Sequence, residues 1–547
     1  MKQTIILFLL FFLTTVTVSA QDINDKIDSI FKEWNQQNQP GGVVSIMKKD
    51  KVFFSKAYGK ANIKYKIPNK IESIFNIGSV SKQFTAMGIV LLHLENKLSF
   101  EDDIRKYLPE LKKLNKKISI RHLLHHTSGI RSTPELFGLA GWRDGDVITT
   151  GDVFNYLCKQ TSLNFEPGSE FSYTNSGYIL LAKIIERITK QPFNVWMKDN
   201  VFTPLDMANT FVNESNDNSN INIATPYYMI DKEHYVVAEN TSLDIGASNI
   251  YSTATDLTRW MQNFNSPSEN WKKAFSLLQT IDPLNNGDYN NYAFGVFVDD
   301  FKGNKRIQHE GGVPGYLSFT MYYPEEELTI VILSNFISRE TNAKNIKLSE
   351  LFLKNKLQVK KQKIFKPVKL KPRNAQKYIG DYWNNKGNYS RKIQFENDTL
   401  WYVRTNRNKS RLNPIGKNKF QIGGLNTIVT IEFQSKGEKK MILKDEDNSI
   451  SEFIKYEDTP LTEKQLQEYA GSYYSPELET KYTISLVKGN LIGYHSRHGQ
   501  FPIELLKKDI TDWSGFAISK YKRDNKGNVI AISVSLNRVN NVWFYKK

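Results

Sequence analysis

Short runs of β-branched residues mark both ends of the N-terminal region. Residues 43–46 and 52–54 flank a polar turn at 48–51, a pattern that predicts two antiparallel strands. Residues 328–334 form a third run, which is mostly apolar and predicts a buried strand. Strands at both ends of one region indicate that the chain returns to a shared sheet.

Between these strands, apolar residues recur at the spacing of a helix. After Ser79, apolar residues recur every three or four positions from Phe84 to Leu94, which predicts a long helix with one buried face. Residues 178–188 repeat this spacing. Opening strands, a helical middle and returning strands predict the α/β (α+β) class, an α/β/α sandwich around an antiparallel sheet.

The C-terminal region contains an internal repeat. Residues 376–382 (QKYIGDY) match residues 467–473 (QEYAGSY) at an offset of 91 residues, and short alternating strands follow each copy. Even strand spacing with intervening turns predicts two small all-β antiparallel barrels. Residues 359–373 alternate basic with apolar residues and include two prolines, which predicts a linker before the barrels.

Composition narrows the functional classes. The chain has 547 residues with 40% hydrophobic content, so we expect several packed domains. Its 74 Lys and Arg against 57 Asp and Glu give a formal net charge of +17. This charge favours an anionic cell-envelope polymer as a partner, or it is a solvated basic exterior without one. Because the lysines are scattered and no RNA- or DNA-binding motif is present, we expect no nucleic-acid partner.

The N-terminus is typical of a secretory signal peptide. Met1 and Lys2 precede the apolar run 5–13, and small residues follow up to Ala20, so we expect a signal peptide at 1–20. Since no cysteine lies near that site and no later segment has 18 consecutive apolar residues, we expect no membrane anchor. The mature protein is expected to be secreted or periplasmic. Cys158, the single cysteine, excludes an internal disulfide.

Ser79 and Lys82 form a Ser-x-x-Lys motif at the start of the first long helix. At this spacing both side chains lie on one helix face, where the amine can help remove the serine proton during attack on a carbonyl. The helix N-terminus also places the positive end of the helix dipole beside the attacked group. The Ser-x-x-Lys tetrapeptide alone is common, so its value as evidence for catalysis depends on two later segments.

These segments are Tyr173-Thr174-Asn175 and residues 309–315 (HEGGVPG), which precede a strand-like run. Three such segments in this order resemble the serine beta-lactamase and penicillin-binding-protein superfamily, and the class C branch with its related esterases and D-amino-acid-specific peptidases in particular. The resemblance covers residues 28–350. With two barrels behind it, which look like lipocalin-like modules, the layout resembles that of D-aminopeptidases.

The composition change, the repeat and the resemblance together give the expected domain boundaries. We expect a serine hydrolase domain at 21–358, the linker at 359–373 and the barrels at 374–458 and 459–547. The resemblance also implies the site roles. Ser79 is the implied nucleophile, and Lys82 and Tyr173 share the proton transfer. Either of the two could be the general base, since a free tyrosine titrates near about 10 and acts at neutral pH only beside positive charge.

Asn175, His309 and Gly311 are the implied substrate-binding residues. Asn175 would orient Lys82 and the substrate amide, and glycine at 311 would let a ligand lie against the strand. The backbone N–H groups of Ser79 and Gly312 are the implied oxyanion hole.

His309 departs from the lysine that beta-lactamases and penicillin-binding proteins carry in this segment. With an ordinary pKa of about 6.5, a histidine is mostly neutral at pH 7, so substrates need no carboxylate beside the scissile bond. The His-x-Gly variant resembles D-aminopeptidases and their relatives. A histidine that merely packs in the strand is the alternative.

Other site chemistries find little support. His122, His125 and His126 fall at helical spacing, yet no suitably placed carboxylate or cysteine joins them in sequence, so we expect no metal and no cofactor. No Gly-x-Ser-x-Gly elbow is present, which excludes an α/β-hydrolase.

The sequence therefore predicts an exported serine hydrolase that works through an acyl-enzyme on small peptide, amide or ester substrates. A peptidase for D-amino-acid-containing or small peptides is the first hypothesis. A carboxylesterase, and then a D,D-carboxypeptidase or beta-lactamase, are the enzymatic alternatives. A cell-wall or glycan-binding protein is the non-enzymatic one.

Overall fold

The computed structural model describes most of the chain after the N-terminal segment. Described are residues 22–547 apart from 37, 144, 216–219, 232–233, 354–356, 358–364, 366–367, 369, 406–407, 426, 435–436, 447–448 and 458–460. The predicted signal peptide and most of the predicted linker therefore lie outside the described residues. Within the described part of the chain, no helix is both long and apolar enough to span a bilayer.

The helices and strands follow the order that the sequence predicts. The α-helices are α1 (Ser81–Leu94), α2 (Ile120–Leu124), α3 (Thr133–Ala140), α4 (Thr150–Lys159), α5 (Asn175–Thr189), α6 (Phe193–Met197), α7 (Ala254–Gln262), α8 (Glu269–Leu278), α9 (Arg339–Leu353), α10 (Pro372–Ala375) and α11 (Glu463–Gln467). The strands before the barrels are β1 (Gly42–Lys48), β2 (Lys51–Tyr58), β3 (Lys60–Asn62), β4 (Ile67–Pro68), β5 (Phe75–Asn76), β6 (Phe211–Val212), β7 (Tyr227–Met229), β8 (Tyr235–Val237), β9 (Ile250–Ser252), β10 (Phe297–Phe301), β11 (Asn304–Val313), β12 (Tyr316–Tyr323) and β13 (Leu328–Ser334).

An antiparallel sheet of six strands joins the two ends of the N-terminal region, in the order β10-β11-β12-β13-β1-β2. β1 pairs with its hairpin partner β2 on one side and with β13 on the other, where Gly42 lies opposite Ser334 and Lys48 opposite Leu328. The predicted hairpin and the predicted returning strand are both confirmed.

Helices cover both faces of this sheet. Val44 and Ile46 point to one face, where they pack in a core with Phe31 and Leu348 from the helical residues 22–31 and from α9. On the other face, the Ser45 hydroxyl accepts a hydrogen bond from Thr258 of α7 at 3.0 Å. The period-two alternation of β1 thus separates two helical layers, and the predicted α/β/α sandwich is confirmed.

Two closed antiparallel barrels follow, as the internal repeat predicts. The first consists of β14 (Gly380–Asn384), β15 (Tyr389–Glu396), β16 (Thr399–Thr405), β17 (Asn408–Gly416), β18 (Lys419–Ile422), β19 (Thr430–Gln434), β20 (Lys440–Lys444) and β21 (Ile450–Tyr456). The second consists of β22 (Gly471–Ser475), β23 (Thr480–Val487), β24 (Asn490–His495), β25 (Gly499–Lys507), β26 (Ile510–Asp512), β27 (Ile518–Arg523), β28 (Val529–Leu536) and β29 (Val539–Lys546).

The repeated sequence makes the same contact in both barrels. The hydroxyl of Tyr382 donates to the carbonyl of Tyr378 at 2.8 Å, and that of Tyr473 donates to the carbonyl of Tyr469 at 2.7 Å. All four rings are buried. In each barrel, this hydrogen bond therefore connects a buried tyrosine of the first strand to the segment that precedes the strand.

The chain forms two compact units by its internal contacts. One unit comprises the chain up to Thr133 and residues 144–360, and the other comprises residues 134–143 and 361–547. The short segment 134–143 belongs to the second unit because it packs on the second barrel, where Tyr482 donates to Leu139 O at 3.1 Å and His498 donates to Gly138 O at 2.9 Å. The sequence carries no signal for this excursion from the predicted hydrolase domain.

Candidate active site

Ser79 lies in a single 3₁₀ turn, Gly78–Val80, that leads directly into α1. Gly78 has a φ of +51°, a left-handed conformation that glycine adopts without strain, and its N–H donates to the side-chain oxygen of Asn76 at 2.9 Å. Ser79 is half-buried while Gly78 and Val80 are buried. The turn therefore leaves the serine as its accessible residue at the positive end of the α1 dipole.

Lys82 is fully buried in the first turn of α1, three residues after Ser79, and its ammonium lies against the Ser79 side chain. Lys82 Nζ donates to Ser79 Oγ at 3.0 Å. It also donates to Asn175 Oδ1 and to the carbonyl of Ala247, both at 2.9 Å. The Ser-x-x-Lys spacing thus gives direct contact, and two oxygens from distant segments hold the amine in place.

Tyr173 and Asn175 reach the same amine from the segment before α5. Lys82 Nζ lies 4.9 Å from the centroid of the Tyr173 ring, a cation–π distance. Thr174 caps α5, its hydroxyl accepting from the backbone N–H of Ser176 at 3.2 Å, and this fixes the start of the helix. The structure therefore brings Ser79, Lys82, Tyr173 and Asn175 together.

The imidazole ring of His126 packs against the ring of Tyr173. The two ring centroids lie 4.3 Å apart, and His126 Nδ1 accepts a hydrogen bond from the backbone N–H of Thr174 at 3.3 Å. His125 bonds instead to Tyr292 O and to the Asp282 carboxylate, at 2.8 and 3.0 Å. Asp282 is a carboxylate partner that the sequence could not reveal, since it is 157 residues away.

Within the described residues, no group of three or more histidine, cysteine, aspartate or glutamate side chains could hold a metal ion. His122 lies in a capping box at the start of α2, where its Nδ1 accepts from the backbone N–H of Ser119 at 3.2 Å. The three clustered histidines thus make separate contacts.

Asp244 and Ala247 are site residues that the sequence analysis missed. Asp244 is buried, and its carboxylate accepts a hydrogen bond from Asn175 Nδ2 at 2.8 Å. Ala247 supplies the carbonyl that Lys82 bonds. The contribution of Ala247 is a backbone carbonyl, which no side-chain pattern in the sequence reveals.

His309 lies on β11 with its ring buried next to the same cluster. Its Nδ1 lies 2.6 Å from the carbonyl of Glu310, so this nitrogen carries the proton, and Nε2 accepts from the Tyr292 hydroxyl at 3.1 Å. Burial, and then the positive charge of Lys82, lower the pKa of His309 to about 3. The imidazole is therefore neutral at pH 7, and both ring nitrogens are hydrogen-bonded within the protein.

Tyr292 stays protonated in this arrangement. Burial raises its pKa well above the ordinary tyrosine value, and nearby phenol rings raise it further. A protonated hydroxyl can donate to the neutral imidazole of His309, and the two rings lie 5.6 Å apart. Tyr292 is a further residue that sequence reasoning did not identify.

The backbone of β11 faces the Ser79 turn. β11 and β12 are joined by a two-residue turn, so Val313 and Tyr316 form the closing hydrogen-bonded pair. Alternation along an antiparallel ladder then directs the N–H of Gly312, opposite Leu317, away from β12 and towards the open edge of the strand. A Cβ on Gly78 would lie 2.7 Å from this nitrogen, so the Gly312 amide is adjacent to the nucleophile turn.

Gly311 and Gly312 differ in the space around them. A Cβ on Gly311 would lie 2.0 Å from the carbonyl oxygen of Ile77 and 2.5 Å from Ser318 Oγ. A Cβ on Gly312 would meet only Leu317 Cδ1, at 3.9 Å, and Gly312 is exposed. Gly311 therefore allows β11 to approach the turn, while Gly312 borders open space where a ligand can lie.

Known protein sequences match the region that contains this site. The sequence model of the family described as Beta-lactamase matches residues 27–349. Penicillin-binding protein 4* of Bacillus subtilis (strain 168) is 30% identical to this chain over 336 residues, which cover 58% of this chain and 72% of that relative.

Two solved structures share the fold. A structure of the octameric penicillin-binding protein homologue from Pyrococcus abyssi has a TM-score of 0.55 at 23% identity, and the match covers 80% of this chain and 99% of that one. The D-amino acid amidase from Ochrobactrum anthropi SV3, complexed with L-phenylalanine amide, has a TM-score of 0.50 at 21% identity, covering 61% and 99%. At these identities the likeness shows a common fold.

Proposed function

The chain belongs to the beta-lactamase family of serine hydrolases, and we propose that it is an exported peptidase that cleaves D-amino-acid-containing or other small peptides and amides. Catalysis in this proposal proceeds through an acyl-enzyme on Ser79. The observation that carries it is the 3.0 Å contact between Lys82 Nζ and Ser79 Oγ, beside the ring of Tyr173. A nucleophile and a proton acceptor within hydrogen-bond reach are what covalent catalysis by serine requires.

In the proposed acylation step, Ser79 Oγ attacks the substrate carbonyl carbon and loses its proton. A neutral Lys82 accepts this proton. If Lys82 is an ammonium, the phenolate of Tyr173 accepts the proton instead. The negative oxygen of the tetrahedral intermediate binds the backbone N–H groups of Ser79 and Gly312. The carbon–nitrogen bond then breaks, and the same proton passes to the leaving amine.

Deacylation returns the enzyme to its starting state. Water attacks the carbonyl carbon of the Ser79 ester, and the group that accepted the first proton takes one from this water. The ester bond breaks, the proton returns to Ser79 Oγ, and the carboxylic acid product leaves. Two steps with lower barriers thus replace one difficult hydrolysis.

The neutral His309 supports substrates without a carboxylate beside the scissile bond. Because burial keeps the imidazole of His309 uncharged, β11 carries no permanent positive charge at the position where beta-lactamases have a lysine. Amides, small peptides and esters remain as substrate classes. Preference for D-amino acids is supported by the His-x-Gly segment and by two barrels behind the hydrolase domain, both of which resemble D-aminopeptidases.

Penicillin acylation is a second candidate, which the 30% identity to penicillin-binding protein 4* favours. It would make the protein a D,D-carboxypeptidase or beta-lactamase. Binding of a penicillin carboxylate would then need a cation other than His309, whose ring is neutral and buried.

A substrate panel distinguishes these activities, with Ser79→Ala as the control for background turnover. The protein is incubated with D- and L-amino-acid anilides and amides, nitrophenyl esters and a fluorescent penicillin. We expect hydrolysis of the D-anilides and D-amides above that of their L-forms. Rapid ester turnover with untouched amides would establish a carboxylesterase instead. Penicillin acylation of Ser79 without amide hydrolysis, seen either as a stable label or as penicillin hydrolysis, would establish the second candidate.

Export is a separate part of the proposal and is supported by the signal-peptide pattern of residues 1–20. Expression of the full chain in a bacterial host followed by fractionation tests it. We expect the protein in the periplasm or medium, with a mature N-terminus at Gln21. A cytoplasmic protein that retains residues 1–20 would contradict export.

A further inference from the structure

Asp244 is a buried carboxylate that uses both of its oxygens in hydrogen bonds. The residue is 8% exposed. One oxygen accepts from Asn175 Nδ2 at 2.8 Å, and the other accepts from the Ser242 hydroxyl at 3.2 Å. A buried carboxylate with two directed donors has a fixed orientation, so it can fix the orientation of its partners in turn.

The backbone of Asp244 organises a second acceptor of Lys82. The Asp244 carbonyl accepts hydrogen bonds from the N–H groups of Ala247 and Ser248, each at 2.9 Å, which closes a tight turn. That turn presents the carbonyl of Ala247 to Lys82 Nζ at 2.9 Å. Two of the oxygens that hold Lys82, Asn175 Oδ1 and Ala247 O, are therefore both positioned by Asp244.

The side-chain contact decides which way the Asn175 amide points. An asparagine amide has a donor end and an acceptor end that differ little in shape, so it needs a partner to set its orientation. Because a carboxylate accepts only, Asp244 requires the NH₂ end of Asn175 and leaves Oδ1 for Lys82. The reversed amide would direct its NH₂ group at the ammonium and would lose both hydrogen bonds.

Asp244 also supplies negative charge close to Lys82. Burial raises the pKa of Asp244, while the hydrogen bond from Asn175 and the charge of Lys82 act in the opposite direction. Among the described residues, Tyr173 and Tyr178 also face Lys82, with ring centroids 4.9 and 5.8 Å from Nζ, as does the neutral His309 on β11. Of these groups, Asp244 is the carboxylate that can balance the ammonium.

We infer that Asp244 is a positioning residue of the active site, which acts through Asn175 to hold Lys82 against Ser79 and to set its charge state. This inference rests on the proposed function, because it assigns a role in the same acylation step. It predicts that removing the Asp244 charge changes the pH dependence of Ser79 acylation, an effect that loss of packing alone would not produce.

Three variants separate position, charge and stability. Asp244→Asn keeps the shape and can still accept from Asn175, so it removes mainly the charge. Asp244→Ala removes the hydrogen bonds as well. Asp256→Asn is the matched control, since Asp256 is also a buried aspartate of this unit with a raised pKa, but it bonds Thr210 and the backbone of Asn209 instead of a site residue.

The readout is the rate of Ser79 modification by a fluorophosphonate between pH 5 and 9, together with the thermal midpoint of each variant. We expect Asp244→Ala to slow labelling by about tenfold to a hundredfold, the range for a lost hydrogen bond to a charged group. We expect Asp244→Asn to move the pH profile to lower pH by about one unit, because loss of a nearby negative charge lowers the pKa of an ammonium. Asp256→Asn should change the thermal midpoint and leave the profile in place.

An unchanged pH profile in a folded Asp244→Asn variant would overturn the inference, as would wild-type labelling rates in Asp244→Ala. If Asp244→Ala does not fold, Asp244→Asn still decides the question. Failure of the acyl-enzyme mechanism on Ser79 has a different signature, because the wild-type protein would then not be labelled at Ser79 at any pH. Failure of the peptidase proposal is read from the substrate panel, whatever the labelling of the Asp244 variants.

Discussion

The side chain of Lys82 holds its ammonium 3.0 Å from the hydroxyl of Ser79, and Asn175 Oδ1 and Ala247 O fix it there from segments that lie 93 and 165 residues away. Burial of this lysine is complete. Burial of a cation costs free energy, which hydrogen bonds offset only in part. The protein therefore maintains this arrangement against a desolvation cost, which is expected where the amine has a chemical role.

Replacement of Lys82 by methionine is expected to slow acylation of Ser79. The variant keeps the length of the side chain and removes the amine, and loss of a general acid–base group typically costs about 10²- to 10⁴-fold. The measurement is the rate of fluorophosphonate labelling. Lys344→Met is the matched control, because Lys344 is also buried but pairs with Glu33 instead of Ser79. Equal rates in the two variants would contradict a role of Lys82 in catalysis.

The two glycines of β11 are expected to respond differently to alanine. At Gly311 the new Cβ would collide with the carbonyl of Ile77, so Gly311→Ala should lower stability by about 1 to 3 kcal/mol and reduce activity. At Gly312 the space is open, so Gly312→Ala should keep the thermal midpoint and reduce kcat/KM for bulky substrates. Thermal unfolding and steady-state kinetics on the same samples check this. A thermal loss at Gly312 as large as that at Gly311 would refute the geometry of the strand.

His309 is expected to make the hydrolase unit less stable in acid. Its pKa is lowered to about 3 in the folded protein, mainly by burial, and a histidine in the unfolded chain titrates near about 6.5. Between these values the unfolded state binds the extra proton, so stability is complete above the higher value and falls as the pH decreases towards the lower one.

The variant His309→Gln removes this titration and keeps a donor and an acceptor. Between pH 7.5 and 4.5 it should lose less stability than the wild type, by about 2 to 3 kcal/mol. Hydrogen exchange of the β11 and β12 amides at both pH values measures the difference within this unit. Parallel losses in the two proteins would show that His309 is protonated normally in the folded state.

The contact of segment 134–143 with the second barrel predicts opposite effects at two glycines. Gly141 has a φ of +98°, and a Cβ there would lie 2.2 Å from His495 Cε1, so Gly141→Ala should cost about 1 to 3 kcal/mol. Gly138 lies in α3, where a Cβ would make only ordinary contact with Phe516 at 3.8 Å. Gly138→Ala should therefore be neutral or stabilise by up to about 1 kcal/mol. Hydrogen exchange of the β24 and β25 amides measures the stability effect of each substitution. Similar protection in the two variants would argue against this packing.

Much of the fold could be predicted from the sequence because local patterns determine it. Two apolar, β-branched runs around a polar turn predicted the β1–β2 hairpin, and the internal repeat with its evenly spaced short strands predicted two barrels. The excursion of residues 134–143 to the second unit could not be predicted, since its contacts, such as that of Leu139 with Tyr482, join residues 343 positions apart.

The candidate site could be predicted in part for the same reason. Ser79 and Lys82 are three residues apart in continuous helical turns, so their spacing together with the two later segments predicted contact. Asp244 and Ala247 lie in a loop without periodicity, and one of them acts through a backbone carbonyl that any residue carries. The hydrogen bond at His309 Nε2 also depends on Tyr292, whose position follows only from the folded chain.

The most direct test of the central claim is the intact mass of the protein after treatment with a fluorophosphonate, compared between the wild type and Ser79→Ala. Attack by the activated serine would displace fluoride and leave one phosphonyl group on the chain. We expect a single adduct on the wild type, located by peptide mapping at Ser79, and an unmodified mass for Ser79→Ala. An adduct that persists in Ser79→Ala, or a wild-type protein that stays unmodified, would contradict Ser79 as the nucleophile.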